Sequence, residues 1–288
     1  MAMKILWQAE NRPTDPNFFG IPETYCAMVE YARQVARPDT EIELRYMEDA
    51  PSFFANQMLY PRAFTKVQVI NRIVHAEQEG FDAALAGVCI IDAYSYEARQ
   101  AVSIPVFGGA ESAMFLAQAV GRKFALVTIA PSFIMPFETH LRLHGWEHRA
   151  ISSRPVRALD PSCWAAIVEA AKGAPDRWIE MFDEAAYQCV LDGADTVICG
   201  CNPGGALLHM AGYRQVRDTG VPVVVGPAAM VKLAETMVDL RRSIGLTKSE
   251  GEMGAYRSTP APVLEELQRL GDGLFLGAPA PQQLAAAS

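Results

Sequence analysis

The sequence predicts an α/β protein made of two pseudo-symmetric parallel-sheet units of the flavodoxin/Rossmann type, with a cleft between them. Residues 81–106 (FDAALAGVCIIDAYSYEARQAVSIPV) and residues 193–223 follow one plan. Each has an Asp (Asp82, Asp195), an apolar run, a glycine-containing turn with a cysteine (Cys89, Cys201), a variable segment, and then Ile-Pro-Val or Val-Pro-Val. The cysteines lie 112 residues apart and Pro105 and Pro222 lie 117 apart. Lys4-Ile-Leu-Trp and Lys123-Phe-Ala-Leu, 119 apart, open the two halves alike. Landmarks in one order at nearly one offset indicate two copies of one unit.

The elements follow in order. Residues 4–7 read as a buried strand, 23–36 as a helix and 42–46, which alternate, as the second strand. Residues 49–61 are irregular and aromatic (Phe53, Phe54, Tyr60), read first as a loop packed on the core or a subunit interface and second as a lid over substrate. Residues 63–79 carry apolar side chains at helical spacing and stop at Gly80. Residues 82–88 form an apolar run without alternation, as a parallel strand covered on both faces requires. A helix at 93–101 leads to a strand at 104–107. Strand, helix, strand is the parallel unit with right-handed crossovers.

The second half repeats this with a helix at 110–120, a strand at 124–128, a loop at 129–136, a helix at 137–143 and a strand near 148–151. Helical sequence from 163 to 191 is broken around 173–175. Strands at 196–199 and 221–225 complete the second sheet, and helices at 227–244 and 259–270 end the chain. The expected division is a first unit at 1–107 completed by the helices of 227–276, a second unit at 108–226, and a loose tail at 277–288.

Length and composition narrow the function. At 288 residues, half of them hydrophobic and 20% charged, the chain suits two globular units. A net charge of −8, a pI near 5.2 and the lack of a Lys/Arg cluster argue against a nucleic-acid partner. The opening MAMKILWQAENR has too short an apolar run for an export signal, and no segment approaches the ~18 to 20 apolar residues of a membrane span. The expected location is the cytoplasm, with cysteines 26, 89, 163, 189, 199 and 201 as free thiols. Cys26, Cys163 and Cys189 read as small buried hydrophobes, and Cys199 as a packing neighbour of Cys201.

In a parallel α/β sheet, ligands sit outside the carboxyl ends of the strands. Cys89 and Cys201 each occupy such an end, so units facing one another across a pseudo-two-fold axis would present two thiols to one cleft. Inverting a carbon stereocentre needs a base on one face and an acid on the other. A thiol, with an ordinary pKa near 8.5, can serve as either. Helix N-termini behind both strands could favour the thiolate and an anionic oxygen. This chemistry requires no cofactor and no metal.

These residues resemble the aspartate/glutamate racemase superfamily, in particular its hydantoin racemase branch. The resemblance rests on Cys89-Ile-Ile-Asp92 with Glu97-Ala-Arg99, Ile104-Pro-Val-Phe-Gly108, Glu111-Ser-Ala-Met114, 121–128 (GRKFALVT) and 193–201 (GADTVICGC). It covers about the middle half of the chain. It implies a two-domain pseudo-symmetric fold, cofactor-independent proton transfer next to a carbonyl or carboxylate, Cys89 and Cys201 as the acid/base pair, and a homo-oligomer with the segment around Phe53 as a candidate contact. The chain departs from the family in Gln8-Ala-Glu-Asn-Arg-Pro13 for an Asn-Pro-Asn-Thr type loop, and in Asn202-Pro203-Gly204 for Ala-Gly-Met.

Around the cysteines, the candidate substrate-binding residues are Gln8, Asn11, Ile90, Asp92, Thr128, Ser132, Asn202 and Gly204, with Gln8/Asn11 and Thr128/Ser132 as equivalent pairs. Each polar residue has a plainer reading as a loop or helix cap. Gly200, Gly204 and Gly205 are read as letting backbone amides approach an oxyanion beside Cys201. His140, His144 and His148 recur at four-residue spacing, but Gly145 interrupts them, and a solvated helix end is the expectation. The expected substrate is a small molecule with an acidic α-hydrogen: a 5-substituted hydantoin or related cyclic amide first, an α-substituted acid second. Alternatives are another reaction of the superfamily (decarboxylation, cis/trans isomerisation, cysteine-dependent hydrolysis) and a two-lobed binding protein without catalysis.

Overall fold

The computed structural model describes residues 2–15, 19–47, 50, 58–87 and 95–274. Within them are two four-stranded sheets, all of whose pairs are parallel. The first contains β1 (Met3–Gln8), β2 (Thr40–Arg45), β3 (Ala83–Ala86) and β4 (Val106–Gly108) in the order β2-β1-β3-β4. The second contains β5 (Phe124–Thr128), β6 (Val156–Ala158), β7 (Thr196–Cys199) and β8 (Val223–Val225) in the matching order β6-β5-β7-β8.

The repeated Asp now has a reason. The Asp82 carboxylate accepts the backbone N–H of Lys4 at 2.8 Å, and that of Asp195 accepts the N–H of Lys123 at 2.8 Å. Each closes the free donor at the start of its half's first strand, which would otherwise go unpaired at the sheet's end.

Successive residues of the central strands serve different faces. Ile5, Trp7, Ala83 and Leu85 join a core shared with the second half, while Leu6, Ala84 and Ala86 join a smaller one. Both faces are covered, so the strands are apolar throughout. Over the smaller core lie α2 (Leu59–Gln78) and α3 (Ser95–Ala101). The shared side holds α1 (Ile21–Val35) and α4 (Gly109–Val120).

The second sheet is flanked by α5 (Ile134–Leu143), α6 (Cys163–Ala171), α7 (Asp176–Leu191) and α8 (Asn202–Met210). The long α9 (Gly226–Ile244) packs on β3, β4 and α4 as well as on α8, and α1 packs on α6, α8 and α9. The lobes are thus joined through buried helix faces. The last helix is α10 (Ala261–Leu274), against α2. Residues 277–288 lie outside the described residues.

Several elements differ from the sequence expectation; α2 begins at Leu59, four residues before the expected 63, and β4 is Val106–Gly108 instead of 104–107. The strand near 148–151 is not formed: Glu147–Arg149 is a 3-10 turn, Ala150 makes a single bridge to Phe124, and pairing with β5 resumes only at Val156. α5 begins three residues earlier than expected, because Pro136 falls in its first turn, where a missing N–H costs nothing. The segment Asn202-Pro-Gly-Gly opens α8, a helix N-terminus behind the second cysteine's strand as expected.

Candidate active site

Cys201 follows β7 after Gly200 and is the N-cap residue of α8. Its backbone is extended, and its sulfur accepts the backbone N–H of Gly204 at 3.4 Å. The thiol is only 2% exposed. Burial pushes its pKa well above the ordinary thiol value, the neighbouring Cys199 adds to the rise, and the Gly204 N–H opposes it. The Cys199 thiol, fully buried and pushed up to about 12, donates to the Cys201 carbonyl oxygen at 3.5 Å.

The glycines around Cys201 permit close packing. A Cβ on Gly200 would lie 2.9 Å from the Val127 carbonyl oxygen, one on Gly204 2.7 Å from Trp178 Cζ2, and one on Gly205 3.0 Å from Val225 Cβ. Two of their amides are already engaged within the chain: Gly200 N–H donates to Val127 O at 2.7 Å and Gly205 N–H to Cys201 O at 2.7 Å. With Gly204 N–H on the sulfur, these glycines fix the thiol rather than present three amides to an oxyanion, as the sequence suggested.

Buried polar atoms with no partner among the described residues lie at or just beyond the carboxyl ends of β1, β5 and β7. Thr128 at the end of β5 is fully buried and its Oγ1 is unpaired. Gln8, at the end of β1, donates through Nε2 to the carbonyls of Ala9 (2.9 Å) and Arg45 (3.3 Å), leaving Oε1 unpaired. Asn202 is 0% exposed with both Nδ2 and Oδ1 unpaired. Such atoms cost about 1–3 kcal/mol each unless a ligand or water satisfies them. All three sit where a parallel sheet receives its ligand.

The remaining candidates separate. Asn11 is buried and donates to Tyr25 Oη at 2.5 Å. Ser132 is exposed on the 3-10 turn Pro131–Phe133. Cys89, Ile90 and Asp92 lie outside the described residues, as do Phe53 and Phe54. Gln8 and Thr128 are not equivalent: Gln8 pairs with Ala86 as Val127 pairs with Cys199, so Thr128 corresponds to Ala9. The expectation that Cys26 is buried is also corrected, since it is exposed on α1, whereas Cys163 and Cys189 are buried.

The histidines overturn a further expectation. His140 is 4% exposed and its Nδ1 is buried without a partner among the described residues. Desolvation above all, then His144 and the cations Arg62 and Lys66, lower its pKa to about 4 against the opposing pull of Glu111. His144 stacks on Trp146 (4.8 Å between centroids) and shares a 2.8 Å hydrogen bond with Tyr96 Oη. Only His148, in the exposed 3-10 turn, is near solvent as expected. His140 shares the buried face of α5 with Phe137 and Leu141, a pattern legible in the sequence once Gly145 is placed after the helix end.

The motif Glu97-Ala-Arg99 with Glu111 is structural. The Arg99 guanidinium reaches both Glu111 carboxylate oxygens (2.8 and 2.7 Å) and the Val106 carbonyl (2.8 Å), and Ser95 Oγ donates to Glu111 at 3.0 Å. It ties α3, β4 and α4 together. Beside β4 a cavity of about 390 Å³, lined by Phe107, Phe115, Met237 and Tyr256 among others, contains neither Cys201 nor the strand-end residues. Among the described residues no group of three His, Cys, Asp or Glu is placed to hold a metal, and no helix is long and apolar enough to cross a membrane.

Two parallel-sheet lobes with a buried cysteine capping the helix behind the third strand of the second sheet define a class, the two-domain α/β fold of the Asp/Glu racemase type. Residues 22–234 match the Asp/Glu/Hydantoin racemase family. The chain is 30% identical over 235 residues, 79% of its length and 88% of the relative's, to hydantoin racemase of Pseudomonas sp. (strain NS671). Among solved structures it resembles allantoin racemase from Klebsiella pneumoniae (25% identity, TM-score 0.68, covering 90% of this chain and 94% of that one). Allantoin racemase from Pseudomonas fluorescens gives 27% identity, TM-score 0.68 and coverage of 90% and 97%. The chain belongs to the Asp/Glu/hydantoin racemase family and is a racemase, an isomerase.

Proposed function

We propose that this racemase inverts the carbon next to the ring carbonyl of a 5-substituted hydantoin or a related cyclic amide, with Cys89 and Cys201 as opposed acid and base. One observation carries the reading: the Cys201 thiol is buried just beyond the carboxyl end of β7 and its sulfur accepts the Gly204 N–H. The hydantoin and allantoin racemases to which the chain is similar favour a cyclic amide or ureide over an amino acid.

The thiolate of one cysteine removes the α-proton, the C–H electron pair passes into the enolate, and the opposite thiol returns a proton to the other face. In the direction where Cys89 is the base, the protonated Cys201 is already the acid. After turnover the roles exchange, and the Gly204 N–H stabilises the Cys201 thiolate as it forms. Neither a cofactor nor a metal takes part in these steps. Thr128 and Gln8 supply unpaired oxygens for the ring's N–H groups. The exposed Met58, Leu59, Tyr60 and Phe64 around the start of α2, with Val263 and Leu267 on α10, support self-association.

The test is polarimetry of single enantiomers of 5-substituted hydantoins and α-substituted acids, against the spontaneous rate and after treatment with a chelator. Loss of rotation with the hydantoins alone, unchanged by the chelator, is the expected result. Consumption of substrate without racemisation, or turnover of the acids only, contradicts it.

A further inference from the structure

Two hydrogen bonds cross between the lobes, and each is a copy of the other. Tyr31 on α1 of the first half meets His209 on α8 of the second, Oη to Nδ1, at 2.7 Å. Tyr96 on α3 of the first half meets His144, the C-cap of α5 in the second, again Oη to Nδ1, at 2.8 Å. α1 and α5 follow β1 and β5, and α3 and α8 follow β3 and β7, which hold matching places in their sheets. The first residues of α1 and α5, Ile21 and Ile134, are 113 apart; so are Tyr31 and His144, and so are Tyr96 and His209. The two contacts are therefore pseudo-symmetry mates in which tyrosine and histidine have changed places. The first lobe supplies both tyrosines and the second both histidines.

The mates are not equally secured. His209 also donates through Nε2 to the Val223 carbonyl at 3.0 Å, which fixes its tautomer and leaves Nδ1 to accept from the Tyr31 hydroxyl. Tyr31 is buried, and α1 packs along α8. On the other side Tyr96 and His144 are both half-buried, and α3 and α5 are not packed along one another. The cavity of about 390 Å³ lies beside this pair, walled by Phe107 and Phe115 of the first lobe and by His144 and Trp146 of the second. One interlobe contact is thus embedded in packed helices, and its mate stands next to open space.

Such an arrangement allows the lobes to pivot on the packed side and part on the other. In the closed form Cys201 is 2% exposed and Gln8 and Thr128 are wholly buried, so a substrate cannot reach the thiol until something moves. We infer that Tyr96 and His144 form a latch between the lobes, that Tyr31 and His209 mark the hinge side, and that release of the latch uncovers Cys201 for the racemase reaction. Both latch groups are neutral near pH 7, because desolvation by burial, the largest cause in each case, lowers the pKa of His144 and raises that of Tyr96 to about 12. Release therefore gives up one neutral hydrogen bond and strands no charge, which keeps the open form within reach. Tyr96 and His144 are positioning residues: they act through the relation of the two lobes and touch no reacting atom.

The experiment follows iodoacetamide labelling of Cys201, Cys199 and Cys26 by peptide mass spectrometry at pH 8, in wild type, Tyr96→Phe, His144→Phe, the double variant and Tyr31→Phe, with thermal melts of each. It uses no substrate, so its outcome is independent of the hydantoin reading. Exposed Cys26 calibrates the reagent, and Cys199, inside β7, reports loosening of the whole lobe. Loss of one neutral hydrogen bond shifts an opening equilibrium by roughly 3- to 10-fold. Cys201 labelling, relative to Cys26, should rise by that factor in Tyr96→Phe and in His144→Phe, with Cys199 unchanged. The double variant should show no further rise, because either change alone removes the same bond. Tyr31→Phe should melt lower while Cys201 stays protected. Unchanged Cys201 labelling in a folded Tyr96→Phe or His144→Phe overturns the inference. So do a parallel rise of Cys199, a multiplied effect in the double variant, and an equal rise in Tyr31→Phe.

Discussion

The backbone N–H of Gly204 points at the sulfur of Cys201 across 3.4 Å, and the carbonyl of the same glycine accepts the Trp178 indole N–H at 2.9 Å. The amide that steadies the thiol is thus anchored from behind by a tryptophan that is 1% exposed. Gly204→Ala would place a Cβ 2.7 Å from Trp178 Cζ2, and neither partner can retreat easily. Overpacking of this kind costs about 1–3 kcal/mol. The variant should melt lower and lose racemase activity, whereas Gly251→Ala, where a Cβ meets nothing within 4 Å, should change neither. Thermal melts with polarimetry on the same samples decide it.

Thiol reactivity should follow burial. Cys26 is exposed, Cys201 is 2% exposed with its pKa raised, and Cys199 is fully buried with its pKa near 12. Because the thiolate is the reacting form, iodoacetamide at pH 7 should label Cys26 first, Cys201 slowly and Cys199 last, with Cys201 accelerating as pH rises. Peptide mass spectrometry over time reads the order. Labelling of Cys201 as fast as Cys26 at pH 7 contradicts a protonated resting thiol.

Acid should destabilise the protein through His140. Its folded pKa of about 4 lies below the ordinary 6.5, so the unfolded chain binds the extra proton between those values. Stability from keeping this imidazole neutral is complete above pH 6.5 and is lost as pH falls toward 4. The difference corresponds to roughly 3 kcal/mol. Denaturant unfolding at pH 7 and pH 5 should show a larger loss in wild type than in His140→Phe; equal losses contradict the assignment.

The Arg99–Glu111 pair should matter more than the surface ion pairs. Its side chains are 12% and 19% exposed, and Arg99 also holds the carbonyl of edge strand β4. Removing one partner of a fully buried pair costs about 3–5 kcal/mol, an upper bound for this partly buried one. Glu111→Gln should lower the midpoint of chemical unfolding markedly, whereas Glu169→Gln, whose pair with Arg177 is about half exposed, should leave it nearly unchanged.

Much of this was legible in the chain. The two-unit plan, seven of the eight strands and the position of Cys201 follow from apolar runs and repeated landmarks, because buried parallel strands leave a strong and uninterrupted signal. The repeat was less regular than its spacing suggested. Gly87 and Gly200 are equivalent, each N–H bonding the first strand of its sheet, and they lie 113 apart, so the first half has one extra residue, Val88, before its cysteine. The missed elements are those fixed by tertiary contact. Gly204 and Gly205 of α8 are fixed by Trp178 and Val225, which leave no room for a larger residue, and the charge environment of His140 includes Arg62, Lys66 and Glu111 from distant segments of the chain. The contact of Asn202 with Gly109 and Gly226 joins residues distant in sequence, and no local pattern announces it.

The central claim is that two thiols act on opposite faces of one carbon, and isotope exchange in the single variants tests it most directly. Each enantiomer of a 5-substituted hydantoin is incubated in heavy water with wild type, Cys89→Ser and Cys201→Ser, and deuterium at the reacting carbon is followed by NMR. The account predicts exchange with inversion of both enantiomers by wild type. In each variant it predicts exchange of one enantiomer only, opposite in the two, with inversion abolished. Exchange of the same enantiomer in both variants, or racemisation surviving the loss of Cys201, would contradict it.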